Sequence, residues 1–123
     1  MLRGVRGATT VDSNSETEIL QATEELLLSI QEKNPSLDSA DLASAVFSIT
    51  NDLDATFPAV AARNLGWQLG PLLSALEIPV PGSLRLCIRV LLHWNTPLDQ
   101  KEIQHVYLRK AVNLRPDLHQ NSN

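Results

Sequence analysis

The 123-residue chain contains little of several residue types, and each scarcity limits the class of protein it can be. Its single cysteine, Cys87, lies in an apolar run, which indicates a buried structural thiol and leaves no disulfide within the chain. No stretch approaches the roughly 20 apolar residues of a membrane span. The opening MLRGVRGATT lacks the apolar core of a signal peptide. We therefore expect a cytoplasmic protein that has no membrane partner.

Basic residues are also few, with ten against fourteen acidic residues and a net charge of -4. The isoelectric point, about 5.2, is acidic. Proteins that bind nucleic acids normally carry clustered lysine and arginine and have a basic isoelectric point. The composition therefore argues against a nucleic-acid partner.

Motifs for metal, cofactor or nucleophilic chemistry are missing from the chain. His93 and His105 do not have the spacing of metal ligands, and His119 lies in the polar end of the sequence. Ser74 is not part of a nucleophile elbow, and the chain has no glycine-rich phosphate loop of the Walker or Rossmann type. We therefore expect no metal, no cofactor and no catalytic nucleophile.

Arginine, by contrast, is placed where a solvated charge is not expected. Arg6 lies in the glycine-rich opening, Arg89 lies inside the apolar run LRLCIRVLLHW, and Arg115 precedes a proline. Arginine binds planar anions through paired hydrogen bonds and stays charged when it is desolvated. These positions predict a pocket for a small molecule with more than one carboxylate or phosphate. Ordinary surface charge is sufficient to account for Arg3, Arg85 and Arg109.

The hydrophobic patterns predict an α/β (α+β) fold, with a mixed β-sheet packed by one long helix and short helices. Predicted strands cover 2–11, 45–52, 71–78 and 84–94, and predicted helices cover 14–33, 58–63 and 98–107. We expect residues 1–118 to form a single domain and residues 119–123 to form a disordered tail.

Two predicted elements carry specific local signals. The long helix has capping-box spacing at Ser13 to Glu16 and at Ser15 to Glu18. The first strand contains glycines at positions 4 and 7, which weaken strand propensity and indicate a close approach of another element to the backbone. The glycine signal does not say which element makes this approach.

The predicted strand 84–94 presents two different faces. Arg89 lies between Cys87 and Leu91 on one face, where an unpaired buried guanidinium would be costly. Glu77, in the preceding strand, is a candidate partner. The spacing leaves two interpretations open: an ion pair that only stabilises the sheet, or an arginine that binds a ligand. The other face is apolar throughout and consists of Leu84, Leu86, Ile88, Val90, Leu92 and Trp94.

Several motifs, taken together, resemble the monofunctional chorismate mutases of the trimeric, pseudo-α/β-barrel class. They occur in the family's order and cover nearly the whole chain. The motifs are RGVRGATTV at 3–11, FPAVAAR at 57–63, GWQ at 66–68, the strand that carries Glu77, CIRV at 87–90 and HVYLRKAVNLRPDL at 105–118.

The resemblance implies a mixed sheet packed by a long helix, with three subunits forming a barrel-like homotrimer. It implies active sites in clefts between subunits. The reaction would be the Claisen rearrangement of chorismate to prephenate, on the route to phenylalanine and tyrosine. This reaction is unimolecular and needs no cofactor, in keeping with the missing nucleophile and metal.

The resemblance also implies roles for individual residues. Arg89 matches the arginine that contacts the ether oxygen of chorismate, where negative charge develops. Glu77 matches the carboxylate that accepts a hydrogen bond from the ring hydroxyl. Arg6 and Tyr107 match groups that hold and orient a substrate carboxylate. These four residues are the expected catalytic set.

Seven further positions match residues that line or close the substrate pocket. They are the apolar wall residues Phe57 and Ala59, the strand residues Leu73 and Ser74, the C-terminal contact Leu114, and Arg63 and Arg115 near the mouth. Some relatives carry lysine where this chain has Val60, and the change removes one charge that would attract a carboxylate. Relatives often carry threonine and cysteine where this chain has Leu73 and Ser74.

Two alternatives from other functional classes stay open at this point. A non-catalytic trimer that senses aromatic-pathway metabolites would keep the arginines for binding without placing Arg89 and Glu77 for chemistry. A structural trimerisation module would pair the arginines with carboxylates across the subunit interface, so that every arginine is already ion-paired when no ligand is bound.

Overall fold

A computed structural model describes residues 1–67 and 70–114, and within these residues the chain forms five strands and two α-helices. The strands are β1 (Leu2–Thr10), β2 (Leu42–Ile49), β3 (Leu72–Leu76), β4 (Cys87–Asn95) and β5 (Val106–Tyr107). The α-helices are α1 (Glu16–Lys33) and α2 (Ala59–Asn64), and short 3₁₀ helices cover Ser39–Asp41, Gln100–Glu102 and Arg109–Asn113.

The strands form one mixed sheet in the order β3-β2-β4-β1-β5. β4 runs antiparallel to both β1 and β2, whereas β2 pairs with β3, and β1 with β5, in parallel. The predicted mixed sheet packed by one long helix is therefore confirmed. The order places β4, which carries Arg89, in the centre, and β3, which leads to Glu77, at an edge.

The helix α1 starts and ends as its sequence signals predict. Ser15 is the N-cap, and its hydroxyl accepts a hydrogen bond from the Glu18 amide at 3.3 Å. Of the two predicted capping spacings, the structure uses the second. Asn34 ends the helix, and its side-chain amide donates to the Ile30 carbonyl at 2.8 Å. The buried stripe that packs on the sheet is Ile19, Ala22, Thr23, Leu26, Leu27 and Ile30.

Gly7 explains how closely α1 approaches the sheet. A Cβ at this position would lie 2.8 Å from Ile30 Cδ1 and 3.2 Å from Leu26 Cδ1. The close approach predicted from the glycines is therefore confirmed at Gly7. At Gly4 a Cβ would meet only Leu91 Cδ1, at an ordinary 3.6 Å. One face of β1 thus lies against the helix, and the other does not.

β4 begins at Cys87, three residues later than predicted. Leu86 has a φ of 52°, outside the strand region, and its amide donates to both carboxylate oxygens of Asp52 at 3.1 and 3.2 Å. Partial burial raises the pKa of Asp52, but hydrogen bonds from Thr50, Leu86 and Arg85 outweigh it, and the net pKa lies below its ordinary value. These contacts hold the start of β4 against the end of β2.

The predicted helix over 98–107 is wrong. This segment forms a 3₁₀ turn at Gln100–Glu102 and then the strand β5. The side chain of Asn34 donates to the Gln104 carbonyl and accepts from the Gln104 amide, both at 2.9 Å. These tertiary bonds and the pairing with β1 override the local helical pattern.

No helix within residues 1–67 and 70–114 is both long and apolar enough to cross a membrane. The expected tail at 119–123 lies outside the described residues.

Candidate active site

The face of the sheet that α1 leaves uncovered holds a cavity of about 290 Å³. Alternation along β1, β2 and β4 points one residue in two toward this open face. Across the central ladders, Arg6 pairs with Leu91, and Ser48 pairs with Arg89. The cavity is lined by Arg6, Gly7, Val46, Ser48, Arg89, Val90, Leu91 and Tyr107.

Arg89 and Glu77 form an ion pair at the edge of this cavity. Arg89 Nε lies 3.2 Å from Glu77 Oε1, and both side chains are about three-quarters buried. Arg89 Nε has no hydrogen bond of good geometry within the described residues, so the contact is mainly electrostatic. The Glu77 backbone is fixed as well, because its amide donates to the Ile49 carbonyl at 2.8 Å. This contact is compatible both with a purely structural ion pair and with an arginine that also binds a ligand.

Arg6 extends from β1 into the cavity and is exposed. Its backbone amide donates to His105 Nδ1 at 3.0 Å. This bond requires an unprotonated Nδ1 and therefore fixes the ring orientation of His105 beside β1. Within residues 1–67 and 70–114, neither Arg6 nor Arg63 has a carboxylate partner, whereas Arg89 does. Within the described residues, a single chain therefore does not supply a partner for every arginine, and the trimerisation module would need carboxylates of a neighbouring subunit.

Tyr107 supplies a buried hydroxyl to the same cavity. The residue is only 7% exposed, and its hydroxyl has no hydrogen-bond partner among the described residues. β5 positions it, because Tyr107 pairs with Ala8 of β1 and the next amide, that of Leu108, donates to the Ala8 carbonyl at 2.9 Å. A buried hydroxyl without a partner is costly, and this one faces the cavity, where it is available to a ligand.

A small apolar cluster supports Tyr107 from behind. It contains the buried residues Ala8, Cys87 and Ala111, and Leu114 packs against it. Burial raises the pKa of the Cys87 thiol, and the nearby Arg89 charge offsets this only in part. The thiol is therefore protonated at neutral pH, as the predicted structural role requires.

A second cavity, of about 240 Å³, lies at the β3 edge. It contains Phe57 and Ser74, and Phe57 is 66% exposed. Ser74 pairs with Phe47, whose side chain lies on the helix-covered face, whereas Leu73 pairs with Val46 on the open face. Within one chain, the two strand residues expected to line a single pocket thus point to opposite sides of the edge strand.

The remaining predicted site residues occupy different environments. Ala59 is buried in the main core at the start of α2, and Arg63 is exposed near the end of the same helix. Leu73 is 62% exposed. Arg115 lies outside the described residues. One chain therefore brings together the four expected catalytic residues but not the whole predicted pocket.

No cluster of His, Cys, Asp or Glu within the described ranges has the arrangement of a metal site. His93 instead shares a 2.8 Å hydrogen bond with Ser44 through Nδ1, a structural role. The predicted surface charges form ion pairs: Arg3 with Asp99, Arg85 with Asp52, and Arg109 with Glu25, at 3.4 to 3.7 Å.

Sequence reasoning missed a polar residue of this cavity, Ser48. Its hydroxyl donates to Glu77 Oε2. Alternation in β2 places Ser48 on the face opposite Phe47, but only the pairing of β2 with β4 shows that it lies beside Arg89. The available signal was a small polar residue inside an apolar strand.

The chain is similar to known proteins along nearly its whole length. The family model described as Chorismate mutase type I matches residues 2–118. Chorismate mutase AroH of Thermus thermophilus is 53% identical over 118 residues, which cover 96% of this chain and 97% of the relative. Chorismate mutase AroH of Bacillus subtilis (strain 168) is 49% identical over 119 residues, which cover 96% of this chain and 93% of the relative.

A solved structure, chorismate mutase from Clostridium thermocellum Cth-682, superposes with a TM-score of 0.84 at 52% identity. The match covers 88% of this chain and 96% of that chain. Identity near 50% over nearly the full length supports a shared activity as well as a shared fold, which favours the enzyme over the metabolite sensor. The chain therefore belongs to the chorismate mutase type I family and has the isomerase activity of a chorismate mutase.

Proposed function

We propose that the cavity on the open face binds chorismate through Arg6 and Tyr107 and rearranges it beside Arg89 and Glu77. Chorismate is a flexible dianion that must be held in a chair-like conformation before its ether C–O bond breaks and the new C–C bond forms. Fixing a carboxylate between the Arg6 guanidinium and the Tyr107 hydroxyl restricts the substrate to that conformation. No group of the protein needs to form a covalent bond to the substrate.

Arg89 has the central electrostatic role in this mechanism. As the C–O bond breaks, negative charge develops on the ether oxygen, and a fixed guanidinium stabilises that charge more strongly in the transition state than in the ground state. Glu77 holds Arg89 Nε at 3.2 Å and also accepts from the ring hydroxyl of the substrate. The ion pair therefore orients the guanidinium, and its other nitrogen atoms bind the substrate.

One observation carries this proposal: three polar groups that can bind an anion meet in a single cavity. Arg6 has no carboxylate partner among the described residues, Tyr107 has a buried hydroxyl without a partner there, and Arg89 shares only one nitrogen with Glu77. A protein built only for stability would give these groups carboxylate or hydrogen-bond partners or replace them. A dianionic ligand satisfies all three.

We further propose that the active form is a cytoplasmic homotrimer whose clefts each combine two subunits. Phe57 and Ser74 lie on the opposite side of the edge strand from Arg89, so in our proposal they complete the cleft of a neighbouring subunit, together with Arg63 and the backbone at Ala59. The edge itself supports this arrangement, because large apolar side chains are exposed along it. They are Phe57, Leu72, Leu73, Leu76, Ile78 and Val80.

The test follows the loss of chorismate absorbance with wild-type protein, Arg89→Ala and Arg89→Lys. By analogy with the loss of one oxyanion donor, Arg89→Ala should lower kcat at least ~100-fold. Lysine should restore only part of the rate, because it lacks the planar fork of arginine. Arg85→Ala is the matched control, since Arg85 is largely exposed and pairs only with Asp52.

Circular dichroism and sedimentation check that each variant is folded and assembled. An Arg89→Ala protein that is folded and keeps most of its kcat would contradict the role of Arg89. An Arg85→Ala protein that loses as much would show that any loss of charge near β4 is damaging.

A further inference from the structure

Ser48 occupies a position that the roles proposed above do not use. It lies in β2, where it is the direct cross-strand neighbour of Arg89 in β4 on one side and of Ala75 in β3 on the other. Its side chain is half-buried and lines the cavity that also contains Arg6 and Tyr107. The Ser48 hydroxyl therefore lies beside the proposed substrate-binding groups, although no contact with the substrate is proposed for it.

The two oxygens of the Glu77 carboxylate have different partners. Oε2 accepts the hydrogen bond from the Ser48 hydroxyl, and Oε1 lies 3.2 Å from Arg89 Nε. Because Ser48 binds Oε2, Glu77 does not form the two parallel hydrogen bonds that a carboxylate commonly makes with arginine. Within the described part of the chain, the terminal nitrogens of Arg89 therefore remain available to bind a ligand.

A second feature shows why the carboxylate needs this support. The Glu77 amide is tied to the Ile49 carbonyl at 2.8 Å, one residue beyond the end of β3, and exposed loop residues follow it. The backbone of Glu77 is thus fixed, but its side chain has two further torsions before the carboxylate. The Ser48 hydroxyl and Arg89 are the two groups that hold the carboxylate in place.

We infer that Ser48 is a positioning residue for the chorismate rearrangement. It selects the orientation of the Glu77 carboxylate, keeps that carboxylate from pairing fully with Arg89, and leaves the guanidinium free to bind the ether oxygen. The inference rests on the catalytic roles proposed above for Glu77 and Arg89.

The experiment measures steady-state kinetics of chorismate turnover for Ser48→Ala, Ser48→Thr and Ser44→Ala. Ser44 lies on the same strand and the same face, but its hydroxyl bonds to His93, outside the cavity. Losing a hydrogen bond to a charged group should lower kcat/KM about tenfold in Ser48→Ala. Ser48→Thr keeps the hydroxyl and suits a strand, so it should stay within about threefold of wild type. Ser44→Ala should be unchanged.

A double-mutant cycle with Glu77→Gln separates positioning from a general packing effect. If Ser48 acts through the carboxylate, Ser48→Ala should change the residual rate of Glu77→Gln less than about twofold. Equal losses in both backgrounds, or a Ser48→Ala protein with wild-type kinetics, overturn the inference while leaving the role of Glu77 intact. A Glu77→Gln enzyme with wild-type turnover would instead overturn the proposed site itself.

Discussion

The two faces of the sheet are made by alternate residues of the same strands, yet they differ in almost every property. Leu92 of β4 is fully buried under α1, whereas its neighbour Leu91 is 36% exposed on the open face. The covered face is apolar and closely packed, to the point that Gly7 leaves room for Ile30. The open face carries arginine, glutamate, serine and tyrosine around a cavity.

The difference shows how a small protein separates stability from chemistry. A buried charge is costly, so the proposed catalytic groups lie where a ligand can supply partners. The helix-covered face supplies the stability that allows the open face to keep unpaired polar groups. Variants on the two faces should therefore affect different measurements.

Leu92→Ala should have the largest effect on stability. Removing a fully buried leucine side chain typically lowers the free energy of unfolding by about 2–5 kcal/mol, and urea denaturation measures the change. Leu91→Ala, one residue away on the open face, should lower the free energy of unfolding of the single chain by well under half of that amount. A Leu91→Ala loss as large as that of Leu92→Ala would mean that the open face is packed as tightly as the covered one.

Gly7→Ala and Gly4→Ala form a second matched pair, on opposite faces of β1. The added methyl group at position 7 would contact Ile30 and Leu26 too closely, and relieving that overlap should cost about 1–2 kcal/mol. At position 4 the nearest atom is at an ordinary 3.6 Å, so stability should be unchanged or slightly raised. Equal destabilisation by both substitutions in thermal unfolding would contradict the one-sided packing of β1.

Asp52→Asn tests the hydrogen bonds that hold the start of β4 in place. The hydrogen bonds to Asp52 lower its pKa, so the carboxylate stabilises the fold above the ordinary value of about 3.9 and stops doing so as the pH falls through the lowered pKa. Asp52→Asn should cost about 1 kcal/mol near neutral pH and progressively less in acid. Urea unfolding midpoints of the wild type and Asp52→Asn, measured from neutral to acidic pH, check this direction. If the difference between the two proteins grew as the pH fell, the hydrogen bonds would not favour the carboxylate.

Thr9→Val should have the smallest effect, in the stabilising direction. The Thr9 hydroxyl is fully buried on the covered face and has no partner among the described residues. Replacing it with a methyl group should raise the free energy of unfolding by about 0.5–1 kcal/mol and leave kcat unchanged. A loss of stability would indicate that the hydroxyl has a partner, for example a bound water.

The sequence was sufficient to predict the elements with strong periodicity. The helix α1 and the apolar face of β4 were predicted correctly, because burial on one side produces a clear pattern in each. The segment that forms β5 was predicted as helix, because its conformation depends on Asn34, about 70 residues earlier, and on pairing with β1. No local pattern contains that information.

The candidate site follows the same rule. Arg89 was identifiable because a charge inside an apolar strand is unusual, and Glu77 was identifiable as its partner. Ser48 was not, since its importance comes from the strand order that places it between the two. The division of Leu73 and Ser74 between opposite faces likewise appears only when β3 is seen at the edge of the sheet.

The place of β1 between β4 and β5 determines when the protein can fold during its synthesis. β1 leaves the ribosome before the other strands. Thr10 cannot pair with Cys87, or Ala8 with Tyr107, until those later residues have been synthesised. At about 5–20 residues per second, the interval from Thr10 to Cys87 is roughly 4–15 s, during which β1 has no neighbouring strand to pair with. Arg6 likewise remains separated from Arg89, and for longer still from Tyr107, which lies further along the chain. The last pairing to form, between β1 and β5, also brings Tyr107 beside Arg6, so a partly synthesised chain lacks part of the proposed site.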